Sequence, residues 1–228
     1  MISIIIPVYN QVDKLSECLD SILRQTYKYY EVVIVNDGST DDILERIKNY
    51  ELKFKNFKFI NQDNKGSNPA RNRGAVEAKG EYLLFCDADI EMAPNMLEIM
   101  LKTLESDSMS SFTYSSFKYG LKTFKLGPYE ADKLKNTPYI HSTSLIRTSH
   151  FPGWDESIKR LQDWDLWLMM LARGYTGVWI DSILFQVKPG GTISSWMPSF
   201  AYKLMPFLPS VKKYKKAVEI IKNKHKFV

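Results

Sequence analysis

Two carboxylates follow a short apolar segment in the sequence LLFCDADIEM, residues 83–92. A single alanine separates Asp87 from Asp89. An acid pair at the end of a buried strand costs stability unless a positive group neutralises it. Carboxylate oxygens bind hard divalent cations such as Mg²⁺ and Mn²⁺, which usually share a phosphate-bearing ligand. A turn with two solvated acids is the alternative interpretation, and the D-x-D pattern alone leaves both open.

Polar residues also follow the other strands that the sequence predicts. Strands are predicted at 2–6, 31–35, 57–60 and 81–85, with helical patterns between them. This alternation predicts a parallel sheet with right-handed crossovers, in which ligands bind at the carboxyl ends of the strands. The polar segments at those ends are 9–10, 37–39, 64–71 and 87–89. Their convergence on one edge favours a binding site.

Three side chains at this edge suit a nucleotide. Arg71 lies in the first turn of the predicted third helix, where a phosphate would gain charge-assisted hydrogen bonds. Asp37 could accept a hydrogen bond from a base N–H, and Tyr9 could stack on that base. The alternatives are a surface arginine, a turn-forming aspartate and a core tyrosine. Because neither G-x-G-x-x-G nor G-K-[ST] follows the first strand, NAD enzymes and P-loop NTPases are disfavoured.

The second half contains another acid pair, Asp163 and Asp165, at the start of a helix predicted over 163–173. Residues two apart on a helix point about 200° apart, so the two acids do not face one site. One could be a general base, and the other is expected to cap the helix or face solvent. The histidines, at positions 141, 150 and 225, are interpreted as structural or exposed. Further strands are predicted within 111–125, 143–147 and 177–187.

The cysteine content and hydropathy indicate a cytoplasmic protein. The chain has 228 residues and two cysteines, Cys18 and Cys86, without metal-ligand spacing. No apolar run reaches the ~18 residues of a membrane-spanning helix.

The C-terminal segment differs from the rest of the chain in charge. Residues 203–228 hold eight lysines and one glutamate, whereas the whole chain has a net charge of +5. Aromatic and apolar residues precede this lysine cluster, which suits an anionic membrane surface. A helix packed on the domain is the alternative, and Pro198, Pro206 and Pro209 argue against one long amphipathic helix. No motif for specific nucleic-acid binding is present.

Four segments, taken together, identify a family. They are IIIPVYN, VVIVNDGSTDD, NKGSNPARNRGAVEAKGEYLLFCDAD and FPGWDESIKRLQDWDLWLMMLARGY. They resemble the inverting glycosyltransferases of family two, from Ser3 to about Ser194. The resemblance implies an α/β fold of the GT-A type, Rossmann-like, with a mostly parallel sheet flanked by helices. It divides the chain into a nucleotide-binding half (1–90), a smaller acceptor-binding half (91–194) and a basic C-terminal extension (195–228).

The resemblance also implies an activity. It indicates a metal-dependent, inverting, hexosyltransferase-type enzyme of polysaccharide biosynthesis that uses a nucleotide diphosphate sugar, with a UDP-sugar favoured. The acceptor would be a hydroxyl of a glycan or of a lipid-linked molecule. The basic C-terminal extension is compatible with a peripheral location of the enzyme at the inner face of the membrane. The alternative is a non-catalytic protein that binds a nucleotide-sugar or glycan. By this resemblance, Pro7, Tyr9 and Asp37 would contact the nucleotide base, and Lys65 and Arg71 would contact the base or the diphosphate. Asp87 would approach the ribose or sugar. Asp89 would bind the Mn²⁺ or Mg²⁺ ion, and Asp163 would be the general base.

Two departures from the family pattern concern the charge of the site. Gln162 stands where many relatives have glutamate, and residues 184–194 lack the histidine that many relatives supply as a further metal ligand. The metal is therefore expected to rest on Asp89, phosphate oxygens and water.

Overall fold

The computed structural model describes residues 1–190 and 207–226, and within them nine strands form one sheet. The strands are β1 (Ile2–Val8), β2 (Tyr30–Asp37), β3 (Phe57–Gln62), β4 (Tyr82–Phe85), β5 (Ile90–Met92), β6 (Ser110–Tyr119), β7 (Lys122–Phe124), β8 (Leu145–Arg147) and β9 (Thr176–Val187). The α-helices are α1 (Val12–Leu23), α2 (Ile43–Glu51), α3 (Ser67–Glu77), α4 (Met96–Ser106), α5 (Ala131–Asn136), α6 (Gln162–Ala172) and α7 (Pro209–His225).

The first half is the predicted parallel sheet. Its strands lie in the order β3-β2-β1-β4, and all three pairings are parallel. The central strands are apolar on both faces because helices cover each face. Ile4 and Ile6 belong to the core on the α1 side, whereas Ile5 belongs to the core on the other side. Gly74 lets α3 approach closely, since a Cβ there would lie 2.4 Å from the Cγ2 atom of Ile5.

The second half extends the same sheet with mixed pairing. β8 pairs antiparallel with both β4 and β6, β6 pairs parallel with β9, and β9 pairs antiparallel with β5. The three strand regions predicted from the sequence are present, although β8 is shorter than expected. The sequence did not predict β5, which begins directly after Asp89. The Lys188 backbone N–H donates to the Asp89 carbonyl at 2.9 Å, so β9 fixes the backbone next to the acid pair.

The described part of the C-terminal extension is a helix packed on the domain. α7 buries Val211, Ala217 and Ile221. Pro209 lies in its first turn, where a proline is tolerated. Pro198, Pro206 and the expected boundary at 194 lie outside the described residues. None of the helices in the described ranges is long and apolar enough to cross a membrane.

Candidate active site

A cleft of about 420 Å³ opens at the carboxyl edge of the parallel strands. It lies where the order of the strands reverses around β1, which is the usual ligand site of such sheets. Seven of the eight residues proposed from the sequence line it: Pro7, Tyr9, Asp37, Arg71, Asp87, Asp89 and Asp163. The eighth, Lys65, has an exposed side chain and is not part of the lining. Segments distant in sequence therefore meet in one cavity.

Asp37 organises one wall of this cleft. Its Oδ1 atom accepts hydrogen bonds from the Gln62 side chain at 2.7 Å and from the Lys65 backbone N–H at 2.9 Å. Its Oδ2 atom accepts from the Gly66 backbone N–H at 2.8 Å. The buried carboxylate thus fixes the loop between β3 and α3. Gly38 is required beside it, because its φ is +75° and a Cβ would lie 2.8 Å from the Asn64 nitrogen.

Arg71 is the positive group that faces the acid pair. Its Nη2 atom lies 2.7 Å from Oδ1 of Asp87, and its guanidinium stacks over the Trp154 ring at 4.7 Å. Nη1 donates to Asn68 at 3.2 Å. Burial opposes ionisation of Asp87, but the Arg71 charge outweighs that effect and lowers the pKa of Asp87. Asp87 is therefore an ionised carboxylate whose charge is balanced by Arg71. The sequence interpretation had not paired these two residues.

Asp89 has the opposite electrostatic environment. Burial and the neighbouring Asp87 raise the pKa of Asp89 to about 6. A divalent cation would remove this penalty by favouring the ionised carboxylate. No group of three or more histidine, cysteine, aspartate or glutamate side chains suited to a metal occurs in the described ranges. A cation bound at Asp89 would therefore need its other ligands from phosphate oxygens or water.

The two acids of α6 are separated as the helical geometry predicts, but the expectation for Asp165 was wrong. Asp163 lines the cleft, whereas Asp165 is buried, with 1% of its surface exposed. Asp165 accepts hydrogen bonds from Lys224 Nζ at 2.7 and 2.9 Å and lies 2.8 Å from His225 Nε2. It is neither a cap nor a solvent-side acid, because Lys224 and His225 of α7 contact its carboxylate, and the sequence did not reveal these contacts.

His141 is a cleft residue that sequence reasoning had interpreted as structural or exposed. Its ring packs against Phe117 and Phe185, with centroid distances of 5.1 Å to each. The Thr143 backbone N–H donates to Nδ1 at 3.0 Å, so the neutral ring carries its proton on Nε2. Burial lowers the pKa of His141 and favours this neutral form. His141 precedes a short strand, and nothing in the sequence around it indicated that it lies in the cleft.

Hydrogen bonds from α3 hold the loop that leads to Asp163. Asn68 donates to the carbonyls of Asp155 and Ile158 at 2.8 and 3.2 Å. Asn72 accepts from the Trp154 N–H at 2.8 Å and donates to the Trp154 carbonyl at 2.9 Å. These hydrogen bonds therefore join α3 directly to the segment that precedes α6.

The curled, mostly parallel sheet with flanking helices is the GT-A fold of glycosyltransferases. S. aureus TarS 1–349 in complex with UDP-GlcNAc superposes with a TM-score of 0.74 at 20% identity, covering 99% of this chain and 73% of that one. The mannosyltransferase PcManGT from Pyrobaculum calidifontis, in complex with GDP-Man and Mn²⁺, gives a TM-score of 0.68 at 20% identity, covering 81% and 56%.

The chain belongs to glycosyl transferase family 2, whose family model matches residues 3–159. An uncharacterized glycosyltransferase of Rickettsia bellii is 32% identical over 86% of this chain. The uncharacterized glycosyltransferase YibD of Escherichia coli is 42% identical over 46% of this chain. The chain spans 30% and 31% of the lengths of these two relatives. The family and the fold expected from the sequence are confirmed.

Proposed function

We propose that this glycosyltransferase moves a sugar from a nucleotide diphosphate sugar to a hydroxyl of a glycan or lipid-linked acceptor, with a divalent metal and inversion of configuration. The observation that supports the proposal is the meeting of Asp37, Asp89 and Asp163 in one cleft. These residues offer a polar wall for a base, a carboxylate for a cation and a carboxylate for a proton. UDP is the favoured nucleotide, and crystal structures of TarS, which shares the fold, are complexes with UDP and with UDP-GlcNAc.

The donor would lie along the carboxyl edge of the sheet. Pro7 and Tyr9 would contact the base, and Tyr9 is 40% exposed and so accessible for stacking. Asp37 acts mainly by holding the loop of Lys65 and Gly66, with one lone pair of Oδ2 remaining for a base N–H. Lys65 would meet the donor only if its exposed side chain turned towards the cleft. Asp87 would approach the ribose or sugar while keeping its ion pair with Arg71.

A bound Mn²⁺ or Mg²⁺ ion would supply positive charge to the departing diphosphate. Asp89 is the residue that would hold it, and PcManGT, which shares the fold, forms a complex with GDP-Man and Mn²⁺. Arg71 adds positive charge on the same side of the cleft, although its guanidinium is shared with Asp87. The two acids thus have separate roles, one neutralised by the protein and one available for the cation.

The reaction needs one proton transfer and one displacement. Asp163 takes the proton of the acceptor hydroxyl as its oxygen attacks the anomeric carbon. The bond from that carbon to the diphosphate oxygen breaks, and its electron pair leaves with the diphosphate. A single displacement inverts the anomeric configuration. Asp163 suits this role because it lines the cleft at the start of α6, beside the loop held by Asn68.

The proposed location is the cytoplasm, at the inner face of the membrane. Cys18 and Cys86 are buried and unbonded with their Sγ atoms 3.6 Å apart, which supports a reducing compartment. The lysine-rich C-terminal extension supports contact with anionic lipid.

Donor hydrolysis provides a test that needs no known acceptor. The chain would be screened by thermal shift against UDP-, GDP-, dTDP- and CMP-sugars with Mn²⁺, and nucleoside diphosphate release would then be measured for each donor that binds. We expect release that depends on Mn²⁺ and is reduced in Asp89→Asn. Binding without turnover, with every acceptor class tried, would favour the non-catalytic binding protein instead.

A further inference from the structure

A second cleft, of about 470 Å³, lies outside the candidate active site. It is formed between α7 and the segment 157–160, which leads into α6. Of the residues that the structure describes, four basic side chains and no acidic side chain line it, above an apolar floor. The basic residues are Lys159, Arg160, Lys213 and Lys216, and the floor includes Ala217 and Ile220. We call these residues the basic cleft.

Among the described residues, no carboxylate neutralises the positive charge of the basic cleft. In residues 1–190 and 207–226, no carboxylate forms an ion pair with Arg160, Lys213 or Lys216. Lys159 donates to the backbone carbonyl of Glu156 at 2.9 Å, which leaves its charge uncompensated. Four like charges around one cavity repel one another, and an anion would relieve that repulsion.

Exposed apolar side chains accompany this charge. Ile220, in the basic cleft, is 47% exposed, and Phe207, just before α7, is 66% exposed. Exposed apolar side chains add little affinity for a soluble phosphate or for a nucleic-acid backbone. A bilayer surface offers both headgroup phosphates and an apolar layer beneath them. The combination therefore favours an anionic membrane over a soluble polyanion.

The helix that carries the basic cleft is fixed to the helix that carries Asp163. Lys224 pairs with Asp165 and with Asp155, in each case at 2.7 Å. Ile221 of α7 packs in the core that also contains residues of α6. The other side of the basic cleft, residues 157–160, is separated from Asp163 by only two residues. A surface bound at the basic cleft would hence be held in a set orientation to the candidate active site.

We propose that the basic cleft binds the headgroup phosphates of anionic phospholipids and docks the chain on a bilayer. The candidate active site then lies close to the membrane, which suits a lipid-linked acceptor over a soluble glycan. This statement about the acceptor rests on the proposed function, whereas the docking itself does not.

The test uses the full chain and vesicles of phosphatidylcholine, with or without 30% phosphatidylglycerol, at low and high salt. The double variant Lys213→Glu/Lys216→Glu reverses two charges in the basic cleft. The matched control, Lys215→Glu/Lys222→Glu, makes the same change on residues of α7 that do not line it. We expect binding only to phosphatidylglycerol vesicles, a loss of tenfold or more in the first variant and less than threefold in the control.

Three outcomes would overturn the proposal. The first is that both double variants lose the same amount of vesicle binding. The second is that the wild-type chain binds equally to both vesicle types. The third is that single-stranded RNA binds as tightly as the anionic vesicles and depends in the same way on Lys213 and Lys216. Donor hydrolysis is measured on every variant without vesicles. Because neither lysine lies in the candidate active site, hydrolysis should not change, so a failure of the docking proposal is separable from a failure of the glycosyltransferase mechanism.

Discussion

Replacing Asp163 and Asp165 separately by asparagine should produce opposite defects. Asp163→Asn preserves the shape of the side chain but removes the proton acceptor. We expect sugar transfer to fall by about 10²-fold or more, the typical contribution of a positioned base. Donor affinity and the melting temperature should stay near those of the wild type, because Asp163 lies in the cleft and is not an ion-pair partner of α7.

Asp165→Asn should instead destabilise the fold. The carboxylate is 1% exposed and faces Lys224 at 2.7 Å and His225 at 2.8 Å. Losing a hydrogen bond to a charged group typically costs about 1.5–3 kcal/mol. The Lys224 side chain is 28% exposed and keeps Asp155, and asparagine keeps one acceptor oxygen, so we expect a loss of about 2 kcal/mol. For a chain of this size that loss lowers the melting temperature by about 4–8 °C.

Calorimetry gives the melting temperature of each variant. Donor affinity and turnover per folded molecule are then measured below those temperatures, and the three results decide between the assignments. An acceptor found by screening is needed for the transfer assay. Folded Asp165→Asn should turn over at close to the wild-type rate. If Asp165→Asn loses transfer while Asp163→Asn keeps it, the assignment of the base is reversed. If both keep it, the base lies elsewhere in the cleft, and His141 is the next residue to replace.

Four further predictions concern donor binding and the pH dependence of stability. Asp89→Asn should abolish Mn²⁺-dependent binding of a nucleoside diphosphate while the fold survives, and unchanged affinity by calorimetry would contradict the metal assignment. Because the pKa of Asp89 is raised to about 6, Mn²⁺-dependent binding should weaken as pH falls through 6. The same raised pKa makes the metal-free fold lose stability as pH rises from about 4 to 6, a dependence that thermal melts of Asp89→Asn should lack. Asp37→Ala should weaken nucleotide affinity about tenfold, because the N–H groups of Lys65 and Gly66 lose their acceptor. The dependence of binding on the metal should be retained. If the variant binds the nucleotide with wild-type affinity, Asp37 only forms the turn and has no effect on the nucleotide.

The parallel half of the sheet could be predicted because its sequence is locally consistent. Apolar runs such as 2–6 and 31–35 are short, are separated by amphipathic helices and end in polar residues. The edge at which Asp37 and Asp89 meet follows from that topology alone. The identities of most cleft residues were therefore accessible from the sequence.

The partners of those residues were not accessible, since they depend on contacts distant in sequence. The pair of Arg71 with Asp87 follows from the depth at which α3 packs, which Gly74 permits. The burial of Asp165 depends on α7, which lies more than 40 residues further along the chain. The ring of His141 packs against Phe117 and Phe185, which lie opposite each other on two paired strands. Contacts between residues so distant along the chain leave no periodic pattern in the sequence.

The hydrogen bonds of Asp37 have a consequence for hydrogen exchange. Lys65 and Gly66 lie in a loop, and the side chain of Lys65 is exposed, yet their amides are bonded to a carboxylate at the end of a central strand. These amides exchange only when that bond opens, so the loop behaves as part of the sheet rather than as a mobile connection. A ligand that binds against this wall meets backbone that is already ordered, and it loses little affinity to the entropy of arranging it.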